Sequence, residues 1–75
     1  MRTVEELIEL ANTELGTALR CADAAVELAQ LDGWDSVHLL RLVALLETAL
    51  GRRVPVDRML EARTLREIWA VAVHP

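Results

Sequence analysis

The sequence contains no phenylalanine and no tyrosine, and Trp34 and Trp69 are its only tryptophans. A core built from it must be filled by Leu, Val and Ala, as suits packed helices. Glycine (three) and proline (two) are scarce, which argues against disorder and against a turn-rich β fold. Lysine is absent. All eight basic residues are arginine, outnumbered by 12 acidic ones. The resulting charge of −4 leaves no basic patch to track nucleic-acid phosphates, and it suits a partner with a basic docking surface. With Cys21 as the single cysteine, no internal disulfide can form, and its Ala, Leu and Asp neighbours predict an inert, partly buried thiol. No apolar run approaches membrane-spanning length and no secretory leader pattern is present. The expectation is a cytoplasmic chain without membrane contact. A length of 75 residues suits one small domain, 1–75, with no room for a deep cleft between layers.

What is present reads as helix. Thr3 with Glu6 predicts a capping box, and Val4, Leu7, Ile8, Ala11 and Leu15 follow at helical spacing up to Gly16, giving a helix over 3–15. Residues 17–35 show no dominant apolar stripe. They predict a long connection with room for a short helix, pinned by Leu19, Val26, Leu28 and Leu31. The strongest helical pattern covers 36–50 and stops at Gly51. At about 100° per residue, Leu39, Leu42, Val43, Leu46 and Leu50 share the core arc, with His38, Arg41, Thr48 and Arg52 opposite. Asp57 predicts a cap for a short helix over 57–61. Thr64 with Glu67 predicts a second capping box, opening a helix over 65–73 that ends at His74-Pro75.

The chain has no catalytic kit. Ser36 and His38 stand at i and i+2, which face different sides of a helix, and no third member completes a serine–histidine arrangement. One cysteine and two distant histidines have no metal-ligand spacing. The feature left is Gly33-Trp34-Asp35-Ser36, a hydroxyl at the start of the best helix. Helix N-termini offer unpaired N–H groups and a positive dipole end, which favour a phosphate. On the tetrapeptide alone, a helix cap by Ser36, alone or with Asp35, is the better reading. Beside it runs a strip of Val37, Leu40, Ala44 and Glu47 that the core arc does not need. It is either one side of a wide buried face or a contact surface. Trp34 reads either as part of that corner or as a loop aromatic folded onto the core.

The chain resembles the acyl carrier proteins of the phosphopantetheine-bearing class. The centre of the resemblance is Asp35-Ser36-Val37, similar to the family's Asp-Ser-Leu attachment motif. It extends through Leu39, Leu42 and Leu46-Glu47 to Gly51, Val54-Pro55 and Thr64. The resemblance implies an all-α four-helix bundle with a long connection between the first two helices and a short third helix. It implies a carrier without its own catalytic activity, modified by a phosphopantetheinyl transferase that attaches 4'-phosphopantetheine to Ser36. The arm then carries acyl or aminoacyl groups as thioesters. Asp35 would flank the attachment point, and Trp34, Val37, Leu40, Arg41, Ala44 and Glu47 would meet partner enzymes. Those partners would be a loading enzyme and acyltransferase, ketosynthase or condensation-type enzymes acting on a monomeric carrier. His38, Arg41 and Thr48 stand where members serving fatty-acid synthesis often carry acids, and Gly33-Trp34 departs from the Gly-Gly of peptidyl carriers. These departures point to a carrier of a specialised polyketide or aminoacyl pathway, and the start at Met1 without a linker is expected of a discrete carrier. The other reading of the same residues is a small helical interaction module in which Ser36 only caps.

Overall fold

A computed structural model describes residues Met1–His74. Four α-helices, α1 (Val4–Leu15), α2 (Ser36–Leu50), α3 (Val56–Glu61) and α4 (Leu65–Val73), form an all-α bundle, and the described residues contain no strand. The boundaries follow from local chemistry. Thr3 caps α1 through the Glu6 N–H, and Thr64 caps α4 through the Glu67 N–H at 3.1 Å. The expected capping boxes are modified. Glu6 and Glu67 reach back to the N–H groups of Arg2 (2.8 Å) and Arg63 (3.2 Å), one residue before each cap. Gly51 ends α2 at φ 68, and both its N–H and that of Arg52 return to the Glu47 carbonyl. That double closure satisfies a free helix-end carbonyl and needs the left-handed backbone that glycine adopts without strain.

α3 departs from expectation at its start. Its N-cap is Pro55, and Asp57 lies in the first turn without capping. Proline fixes a φ near that of a helix and lacks an N–H, so it can open a helix without a side-chain cap. The predicted stop at His74-Pro75 is half described: His74 closes α4 with its N–H on the Ala70 carbonyl, and Pro75 lies outside the described residues.

Leu7, Leu42, Leu46, Met59, Leu65 and Ile68 are completely enclosed, so every helix contributes to one core. Leu39 and Val43 join them, and Leu50 packs at the edge. Trp69 packs against this core from α4. Its ring N–H is buried without a partner among the described residues, an unmet donor with a desolvation cost.

The long connection is more ordered than its sequence suggests. It holds two 3-10 helices, Cys21–Ala25 and Leu28–Gln30. Leu28 is buried and Leu19 and Leu31 pack on the core as expected, whereas Val26 is only half-buried and Ala24 takes the enclosed position. Asn12 of α1 anchors the first part. Its Oδ1 accepts from the Leu19 N–H (2.8 Å) and the Thr17 hydroxyl (2.7 Å), and its Nδ2 donates to the Leu19 carbonyl (2.9 Å). The second part is fixed by the Leu28 N–H, which donates to the Arg63 carbonyl between α3 and α4 at 2.7 Å. Cys21, expected to be partly buried, is exposed, because Ala24 turns inward from this 3-10 helix and Cys21 does not.

Candidate functional site at the start of α2

Gly33 adopts φ 75, which turns the chain out of the connection and into the corner before α2. Asp35 follows with extended backbone and caps the helix. Its Oδ1 accepts the His38 N–H at 2.9 Å, and its carbonyl accepts the Leu39 N–H at 3.1 Å. Ser36 is therefore the first helical residue and not the cap. A capping side chain must lean from extended backbone onto the N–H two or three residues ahead, and Asp35 already fills that role. The reading of Ser36 as the helix cap is overturned. Its hydroxyl is exposed, and no described residue hydrogen-bonds it.

His38 ties back onto the same carboxylate, with Nδ1 2.9 Å from Asp35 Oδ1. An ionised carboxylate only accepts, so Nδ1 carries the proton and Nε2 is left open. This side-chain bond, followed by the His38 backbone N–H, holds the Asp35 carboxyl below the usual carboxylate range. Desolvation opposes these two bonds, and the electrostatic attraction of the His38 ring and the Val37 N–H add smaller lowering effects. The Trp34 ring lies 5.7 Å from that of His38, tilted by 36°. Trp34, Asp35 and His38 thus form one cluster at the foot of the exposed serine, with Trp34 also packed on the core.

A phosphate-linked group fits here. The Ser36 hydroxyl is exposed and unengaged, and an open hollow of about 220 Å³ beside it is lined by Leu28, Ala29, Trp34, Asp35, Ser36 and Leu39. The helix-end donors are not all available to such a group, since Asp35 takes the His38 N–H.

The residues of the expected partner face separate into distinct surroundings. Val37 (59% exposed) and Leu40 (53%) stand open on α2, and Arg41 and Ala44 are exposed in a shallow groove shared with Glu14 and Leu15 of α1. Glu47 is half-buried, and its Oε2 accepts the Val54 N–H at 3.1 Å. Arg52 does not extend the solvent face of α2. The helix has ended, and its Nη2 donates to the Ala72 carbonyl of α4 at 2.7 Å. Sequence reasoning missed Val56 and Leu60, which are exposed apolar residues of α3, a helix that contacts α2. Their placement at the flanks of Met59, the buried residue of that short helix, was the available signal.

A family model described as a phosphopantetheine attachment site matches residues 5–71. The chain belongs to this family. It is a carrier domain of the phosphopantetheine attachment-site family, whose members take 4'-phosphopantetheine covalently on a serine. Carriers of this kind interact with a phosphopantetheinyl transferase and with biosynthetic enzymes. The matched span contains one serine, Ser36, which is also the only one in the chain. Comparison with curated proteins and with solved structures gave no significant match. Among the described residues no helix is long and apolar enough to cross a membrane, and no group of His, Cys, Asp or Glu is placed to hold a metal ion.

Proposed function

We propose that Ser36 is the attachment point of 4'-phosphopantetheine and that the chain, 1–75, is a single monomeric carrier of acyl or aminoacyl groups in a specialised polyketide or aminoacyl pathway. The observation that carries this reading is the lone serine of the matched span, exposed at the first residue of α2 with its hydroxyl unengaged. In the modification, the Ser36 oxygen attacks the pantetheine-side phosphorus of coenzyme A and forms a phosphodiester as the pyrophosphate bond breaks, adenosine 3',5'-bisphosphate leaves, and the serine proton passes to a base on the transferase. The attached arm supplies a terminal thiol that holds cargo as a thioester. Asp35 holds the first turn of α2 rigid beneath the serine, so the arm swings from a fixed base. Val37 and Leu40 form the apolar part of the α2 surface that partner enzymes meet, and Val56 and Leu60 add exposed apolar area on α3. Trp34, Arg41, Ala44 and Glu47 border it. The specialised pathway is supported by His38, Arg41 and Thr48, which make this helix less acidic than a carrier of general fatty-acid synthesis.

The test is loading. Folded, unmodified chain incubated with coenzyme A and a promiscuous phosphopantetheinyl transferase should gain the mass of one arm, and Ser36→Ala should stay unmodified while keeping its helical circular dichroism. An unchanged mass in the parent chain, or equal loading of the variant, overturns the assignment.

A further inference from the structure

Charge is divided unevenly along this chain. Residues 1–35 hold eight acidic and two basic side chains, whereas residues 36–75 hold four and six. The net charge of −4 therefore belongs to α1 and the connection, not to the half that begins at Ser36. α2 shows the division most sharply. Its exposed residues after Ser36 are Val37, Leu40, Arg41, Ala44, Thr48 and Ala49, and Arg41 is the one charge among them. The single acid of the helix, Glu47, is half-buried and already accepts the Val54 N–H. Asp35, ahead of the helix, is bridged to the His38 ring at 2.9 Å. Arg41 enters no ion pair among the described residues, although Glu14 of α1 lines the same shallow groove. Val37, Leu40, Arg41 and Ala44 are spaced i, i+3, i+4 and i+7, so they form one continuous patch of the helix surface.

We propose that this patch fits a partner protein whose docking surface is apolar with a carboxylate set against Arg41, and not the basic surface that the net charge invites. The inference rests on Ser36 being the attachment point, beside which the patch begins. A basic partner residue over Arg41 would bring like charges together as water leaves the contact, which is strongly unfavourable. A carboxylate there meets a planar fork of donors in two parallel bonds, with Val37 and Leu40 giving the apolar contact. The acids of α1 do not reverse this preference at contact, because exposed charges more than about 8 Å apart are largely screened at physiological ionic strength. Past Gly51 the exposed Arg53 continues the positive sign. Acid returns on α3, where exposed Asp57 and Glu61 flank Arg58, so the inverted surface is that of α2 itself.

The experiment makes the charge of the partner the variable. A phosphopantetheinyl transferase with a basic carrier-docking face is compared with versions of itself in which the basic residues of that face are changed, one at a time, to glutamate. Each enzyme loads the parent chain, Arg41→Glu and Arg66→Glu, and kcat/KM is read from the gain in mass. The quantity compared is the ratio of parent to variant chain with one enzyme, so damage to a reversed transferase cancels. With the basic transferase, Arg41→Glu should be loaded about three- to tenfold better than the parent chain. With at least one reversed transferase the order should invert. Arg66→Glu, at an exposed position of α4, gives the chain the same net charge as Arg41→Glu and should show neither effect. Helical circular dichroism checks that both variants fold. Equal behaviour of the two variants, or a parent chain favoured by the basic enzyme, overturns the proposal. So does a dimer in sedimentation that Arg41→Glu dissolves, since the patch then belongs to a second copy. Each of these outcomes includes loading and leaves the Ser36 assignment intact. No gain in mass with any transferase removes that assignment, and this inference with it.

Discussion

The Asp35 carboxylate accepts the His38 N–H and faces the His38 ring, while the next residue leaves its hydroxyl to solvent. With Ser36 as the proposed attachment point, function and stability fall to two adjacent side chains. Asp35→Ala should lower the urea midpoint by removing the cap of α2. Ser36→Ala, which removes no hydrogen bond made within the described residues, should stay within about 0.5 kcal/mol of the parent. Equal losses in the two variants would contradict this division. The pH dependence has a definite sign. The folded chain holds Asp35 ionised more strongly than the unfolded chain does, because its pKa is lowered by the His38 side-chain bond. Its contribution is fully present above the unfolded carboxyl value and is lost as pH falls through the lower folded value. Asp35→Asn keeps a capping side chain. The stability gap between parent and this variant should therefore close on acidification through the carboxylate range. A gap that persisted through strong acid would refute the role of the charge. None of this division was legible in the tetrapeptide, since Ser and Asp are both good caps. Only the backbone, extended at Asp35 and helical at Ser36, separates them.

At the scale of elements, α2 shows how far periodicity reaches. Its extent and its core arc of Leu39, Leu42, Val43 and Leu46 follow from apolar spacing and the glycine stop, and the structure places them as the spacing requires. The strip beside that arc was legible as spare surface at Val37 and Leu40, but not at Glu47. Its carboxylate crosses to the Val54 N–H and fixes the turn that aims α3. Glu47→Ala leaves that half-buried donor unmet and should cost about 1–3 kcal/mol. Glu47→Gln, which keeps an acceptor oxygen, should retain most of the stability in urea denaturation, and equal losses would show that the bond is unimportant. Charge reversal at Glu47 is thus a poor probe of partner docking, because it disturbs the turn as well. The connection between α1 and α2 was the least legible element. Its order comes from Asn12, seven residues before Leu19, and from a backbone bond to Arg63, far along the chain. Neither partner leaves a local pattern.

For the whole molecule, the Cα radius of gyration is 10.8 Å, with six large, fully enclosed side chains from all four helices at its centre. Total stability for a chain this size is of order 0.05–0.15 kcal/mol per residue, so single core positions matter. Leu46→Ala should cost about 2–5 kcal/mol, a large share of the whole, and should broaden or abolish the unfolding transition. Leu40→Ala, on the open face, should leave that transition near the parent's and instead slow turnover by partner enzymes. A large stability loss at Leu40 would show that it packs rather than docks. The sequence by itself determined the all-α class, the four helices and the one serine available for modification. Those properties depend on local spacing, on helix caps and stops, and on composition. The tertiary structure decided that Asp35 caps in place of Ser36 and that Glu47 and Arg52 hydrogen-bond to backbone beyond α2. These outcomes depend on the angle at which distant segments meet, and that angle is set by packing the whole core at once.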